Sequence, residues 1–169
     1  MMPTTQTKAD ANFMRRAAAA ANDPTAMAIA GAIHYHKGEY TKAFHYWTKA
    51  SALGDAVAHL GLSFLYQDGE GVEKDEIKFI HHSEEAAIAG HLTARYNLGV
   101  IEWNDGNFER AMKHCIIAAN LGEGESLKML KEGYVKGYVS KDVYAAALRA
   151  HQAAVDAMKS PQREAAMRS

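Results

Sequence analysis

Thr41-Lys42-Ala43-Phe44-His45-Tyr46-Trp47-Thr48-Lys49-Ala50-Ser51-Ala52-Leu53-Gly54 decides the fold, because the chain repeats it twice. Ile77 to Gly90 (IKFIHHSEEAAIAG) and Glu109 to Gly122 (ERAMKHCIIAANLG) lie over it position by position, each a helix-length block closed by glycine. The closing glycines, Gly54, Gly90 and Gly122, stand 36 and then 32 residues apart, a period of stacked helical hairpins rather than of one globular core. An array of that kind works through its surface, so the pattern points to binding of another macromolecule.

Upstream of each block lies a second helix-length segment: Pro24 to His36, Ala56 to Asp68 and Leu92 to Asn104. In the first, Met27, Ala30, Gly31 and His34 recur at spacings of three, one and three, which puts them on one face of a 3.6-residue helix. Gly38-Glu39-Tyr40 makes the turn, and Ala43, Trp47 and Ala50 supply the answering stripe. Leu98, Gly99, Gly106-Asn107-Phe108, Ala111, Cys115 and Ala118 repeat the arrangement in the third unit. Small residues at Gly31, Gly99, Ala43 and Ala111 let two helix backbones come close, where a larger side chain would hold them toward the far end of the roughly 8–10 Å range.

Gly31 with Gly38-x-Tyr40-x-x-Ala43, and Leu98-Gly99 with Gly106-x-Phe108-x-x-Ala111, resemble tetratricopeptide repeats. The middle unit, Ala58-x-x-x-Leu62-Ser63-x-Leu65-Tyr66-x-x-Gly69-x-Gly71-Val72-x-x-Asp75 followed by Glu85-Ala86-Ala87-x-x-Gly90, resembles the Sel-one-like variant, with four additional residues in its connecting loop. Phe79, Glu102 and Arg95 depart from the pattern, which has alanine, tyrosine and an apolar residue there. The resemblance implies an all-α fold: a right-handed α-solenoid of helical hairpins with a C-terminal capping hairpin. It divides the chain into an arm over 1–22, partly helical, repeats over 23–54, 55–90 and 91–122, a degenerate repeat with capping helices over 123–158, and a frayed tail over 159–169. Within the arm, Phe13 to Ala21 reads as a weakly docked alanine-rich helix, and Ser140 reads as the N-cap of the last helix.

Composition narrows the function. The 169 residues suffice for one domain and carry 19 Lys plus Arg against 20 Asp plus Glu, with no basic footprint for nucleic acid. One cysteine excludes an intramolecular disulfide framework, and secreted relatives implied by the resemblance are cysteine-rich. No membrane span or signal-type apolar run is readable, so a cytoplasmic or nuclear protein is expected. Lys8, Arg15 and Arg16 against Asp10 also fit a transit-type leader.

The nine histidines suggest a metal, yet no two are three or four apart as one helix would need to hold one ion. His45 and His81, or His82 and His114, occupy equivalent second helices separated by an intervening helix, too far for ligands at about 2 Å from zinc. Cys115 faces the inter-helix core, Gly69-Glu70-Gly71 lacks the Lys-Ser/Thr of a phosphate loop, and Glu84-Glu85 are adjacent and face different directions. No catalytic residue, metal or cofactor is therefore expected.

The outward positions of the first helices are the candidate binding surface: Tyr35 and His36, then Phe64 and Gln67, then Tyr96, Val100, Trp103 and Asn104, with Val57 and Leu60 beside them. Aromatic residues with few rotatable bonds suit interface anchors. The expected function is a non-catalytic adaptor or scaffold binding a peptide or protein on a concave helical surface. A self-associating structural module and a hydrolase-like enzyme are the alternatives.

Overall fold

The structure is a computed structural model that describes residues 8–13 and 22–168. The alanine-rich segment read over Phe13 to Ala21 lies outside them apart from Phe13. Described residues 8–13 are helical, and the rest forms α1 (Pro24–His36), α2 (Tyr40–Ala52), α3 (Ala56–Asp68), α4 (Glu76–Ile88), α5 (Leu92–Asn104), α6 (Phe108–Asn120), α7 (Glu125–Val135) and α8 (Lys141–Met167). Among the described residues there is no strand.

Four helices, α1, α3, α4 and α8, begin where a side chain satisfies free amides. Asp23 accepts from the amides of Thr25 and Ala26 ahead of Pro24, Asp55 from Ala58, Asp75 from Lys78, and Ser140 from Val143. The helices pair into antiparallel hairpins: α1 with α2, α3 with α4, and α5 with α6. Gly54, Gly90 and Gly122 sit at φ of 82°, 89° and 96°, the left-handed region where a side chain is strained, so each block ends where the repeat pattern closes it. The four additional residues of the middle unit do fall between α3 and α4, and the lengthened loop lays Gly71 against the backbone of Tyr40 and Thr41.

The chain forms two compact units, Met1–His91 and Leu92–Ser169. In the first, Met27, Ala43, Trp47, Ala50, Leu62 and Leu65 make the core. In the second, Ala111, Met112, Cys115, Ala119, Leu130 and Ala147 do. One departure from the pattern finds local partners: Glu102 pairs with Arg110 at 2.7 Å and accepts from the Asn107 side-chain amide. The C-terminus departs from the sequence reading, because α8 runs on through Pro161 to Met167 where fraying was expected from Lys159. Pro161 is exposed, and the residues after it, Gln162 to Met167, are strong helix formers that carry the helix past one missing amide.

Candidate functional site: an apolar cleft between first helices

In the first unit, Trp47 of α2 is the organising side chain. Its Nε1–H donates to the Ala28 carbonyl at 3.0 Å, and a β-carbon added at Gly31 of α1 or at Gly61 of α3 would overlap the indole. Two glycines on two helices thus admit one ring between them, and α1 and α3 are held apart by its width. Above it opens a cleft of about 190 Å³. Trp47 and Gly61 are its floor; Ala32, Tyr35 and His36 form one wall, and Val57, Leu60 and Phe64 the other.

Three of the expected binding residues, Tyr35, His36 and Phe64, therefore share one apolar recess. Leu60 is only 9% exposed, so it is a wall of the core rather than an outward anchor, because its side chain closes the space beside the indole. Gln67 is exposed but lines a neighbouring recess with Tyr66, Lys74 and Phe79. In the second unit, Tyr96, Val100 and Trp103 are half-buried along α5, and Asn104 is exposed at its end. Trp103 meets Phe108 edge-on at 5.0 Å and Tyr138 at 5.7 Å, while the Lys136 ammonium stands 4.9 Å over its ring. Its aromatic surface is largely engaged.

Electrostatics distinguish the cleft's mouth. Tyr35 packs against Tyr40 and Trp47, with ring centroids 5.4 and 5.5 Å away. Burial raises the Tyr35 phenol above its ordinary value, with the Glu70 and Asp68 carboxylates adding to the rise. The Tyr40 phenol is raised chiefly by its hydrogen bond to Glu70. Both phenols therefore stay neutral donors turned toward one carboxylate.

Sequence reasoning missed a second cluster. His59 of α3 and His82 of α4 bring their Nδ1 atoms to 3.0 Å, with His82 stacked on Tyr66. Burial lowers both, His82 to about 4, helped by His59, His81 and Lys78. One neutral ring donates and the other accepts. The signal lay in the repeat register rather than in helical spacing: His59 is the fourth residue of α3, as the core residue Met27 is of α1. Among the described residues no group of three or more His, Cys, Asp or Glu side chains is placed to hold a metal ion.

Cys115 is fully buried, with its Sγ 3.2 Å from the Met129 sulfur, and burial followed by the Glu123 charge pushes its thiol up to about 12. It carries no thiolate near neutral pH. His34, 7% exposed, faces Glu39 through Nδ1 and stacks on Tyr46, as a core histidine does. Among the described residues, no helix is long and apolar enough to cross a membrane.

No family model matches the chain. Over 86 residues it is 30% identical to chitin synthase regulatory factor 4 of Schizosaccharomyces pombe, a match spanning 50% of this chain and 14% of that protein. Among solved structures it is similar to a Sel1 repeat protein from Oxalobacter formigenes, with a TM-score of 0.73 and 22% identity over 86% of this chain and 63% of the other. It is also similar to c5321, a protective antigen present in uropathogenic Escherichia coli strains, with a TM-score of 0.67 and 22% identity over 90% of this chain and 33% of the other. At that identity the likenesses show the fold alone. With the hairpins and the glycine-closed repeats, they establish an all-α helical repeat of the Sel1 (SLR) type.

Proposed function

We propose that the chain is a non-catalytic adaptor that binds a peptide or protein segment in the cleft between α1 and α3. The cleft itself carries the reading: an apolar recess of about 190 Å³ with a rigid indole floor and the rings of Tyr35 and Phe64 at its sides. Rigid aromatic walls offer contact area at low entropic cost, which suits a protein anchor. His36 borders the same recess, while Gln67, Tyr96, Val100, Trp103 and Asn104 are the further contact positions proposed on the first helices. A regulatory relative and SLR-type neighbours support an interaction role.

Affinity capture with wild type and with Phe64→Ala tests this, circular dichroism and melting being followed in parallel. A partner retained by wild type should be lost with Phe64→Ala while helicity is kept. Capture that survives Phe64→Ala and Tyr35→Ala but is abolished by the charge reversals Lys49→Glu or Glu84→Lys on second helices overturns the cleft as the site.

A further inference from the structure

The cleft's mouth carries a charge that its floor and walls do not require, and this inference rests on the cleft reading above. Tyr35 and Tyr40 of the first unit hold the same repeat positions as Trp103 and Phe108 of the second: each pair joins the twelfth residue of a first helix to the first residue of the next helix. Both pairs meet edge-on, at 5.4 and 5.0 Å. What the following hairpin brings to each pair is opposite in sign. After α7 it is the Lys136 ammonium, over the Trp103 ring. After α3 it is Glu70, faced by both phenols, with Asp68 beside it.

Three further observations make this mouth electronegative. The C-terminal ends of α1 and α3 both lie there, each contributing the negative end of a helix dipole. One neighbouring cation, Lys37, is paired with Asp10 at 3.5 Å, and the other, Lys74, lays its stem against Gly69 between Asp68 and Glu70 and lines the adjoining recess, so one ammonium stands beside two carboxylates. The two phenols face the Glu70 carboxylate but leave its Oε2 atom without a hydrogen bond, so part of its charge stays uncompensated within the protein.

We propose that the occupant of the α1–α3 cleft is a basic peptide segment, whose bulky apolar side chain seats between Tyr35 and Phe64 and whose Lys or Arg meets Asp68 and Glu70 at the mouth. Phe64 and Asp68 are one turn apart on α3, about 6 Å, which an extended peptide covers in about two residues. The motif is therefore an apolar residue with Lys or Arg two positions away. Charge complementarity at the rim sets partner choice and register, and the apolar side chain supplies most of the affinity.

The test is selection of a random twelve-residue phage-displayed peptide library on the immobilised full chain, followed by fluorescence anisotropy of the enriched peptides against variants. Enriched peptides should carry Leu, Phe, Met or Trp with Lys or Arg two positions away. Their affinity should fall about tenfold with Asp68→Asn or Glu70→Gln and with raised salt, and vanish with Phe64→Ala. Enriched peptides that need Phe64 yet are acidic or uncharged, and that bind Asp68→Asn and Glu70→Gln as tightly as wild type, overturn the basic-partner inference and leave the cleft standing. Absence of enrichment, or peptides indifferent to both Phe64→Ala and Tyr35→Ala, overturns the cleft reading with it.

Discussion

The first unit packs a ring where the second packs sulfur. Trp47 lies between Gly31 and Gly61; its counterpart Cys115 lies against Gly99, where an added β-carbon would sit 2.9 Å from the thiol, and bonds toward the Met129 sulfur. Met112 fills the space that Gly133 leaves open. A rigid indole holds two first helices at a set distance and leaves a shaped recess above itself, whereas thiol and thioether adapt to the gap and close it. The same repeat frame thus sets a rigid ring between glycines in one unit and adaptable sulfur in the other. What a repeat can bind depends on the one residue that its second helix sends inward.

Removing the ring is the strongest way to break this comparison. Trp47→Ala leaves a cavity between three helices and removes the hydrogen bond to Ala28, so it should cost about 3–5 kcal/mol in chemical denaturation. Cys115→Ala removes one small group from the other core and should cost about 1 kcal/mol. Equal losses would mean that the ring organises nothing the thiol does not.

A smaller effect follows from adding a methyl group to each glycine. Gly61→Ala should cost about 1–3 kcal/mol, because the indole is backed by Gly31 and tied by its N–H and has nowhere to go. Gly99→Ala meets the thiol at 2.9 Å and the Ala111 carbonyl at 3.3 Å, milder overlaps than the 2.5 Å at Gly61 and partly offset by the better helix propensity of alanine, so it should cost less. A Gly99→Ala variant more damaging than Gly61→Ala would reverse the assignment of rigid and adaptable cores.

These packing partners show what the sequence discloses. The bounds of α1, α3 and α5 were readable because the glycine-closed repeat period and the spacing of Met27, Gly31 and His34 are local signals. That Gly61 backs Trp47 was not, since the indole touches it only when the next hairpin stacks. His59 and His82 escaped for the same reason: the contact crosses a hairpin, and within-helix spacing is blind to it. Tyr35, His36 and Phe64 were legible as one surface because each projects from a first helix, but the sequence assigned Trp103 to open surface without the Phe108, Tyr138 and Lys136 neighbours that engage it.

The histidine pair separates the units by pH. His59 and His82 have folded values below their unfolded ones, so between about 6.5 and 4 the unfolded chain binds more protons and stability rises with pH. On acidification this contribution is lost as pH falls from 6.5 through about 4. Solvent screening of the half-buried rings brings the loss to about 1–2 kcal/mol. Hydrogen exchange at pH 7 and 4.5 should show it as earlier opening of the α3–α4 hairpin relative to α7. His59→Met, which installs the residue of the first repeat, should make the stability–pH slope shallower. An unchanged slope would remove the pair as its source.

The smallest effect tests the second unit's own cation. Lys136 stands over Trp103 and also pairs with Glu132 at 2.8 Å, both at the surface, where such contacts are weak. Lys136→Met keeps the apolar stem and removes the charge, so it isolates the electrostatic part and should lower stability only slightly in chemical denaturation. Trp103 emission should shift as the ammonium leaves its face, while the buried Trp47 is untouched. Lys136→Glu goes further and gives this loop the sign that Glu70 gives the first unit. It places a carboxylate against the electron-rich face of the ring and should cost more than Lys136→Met. If Lys136→Glu and Lys136→Met are equally stable and leave the emission unchanged, the ammonium does not cover Trp103. The charge contrast between the two aromatic pairs then belongs to the first unit alone.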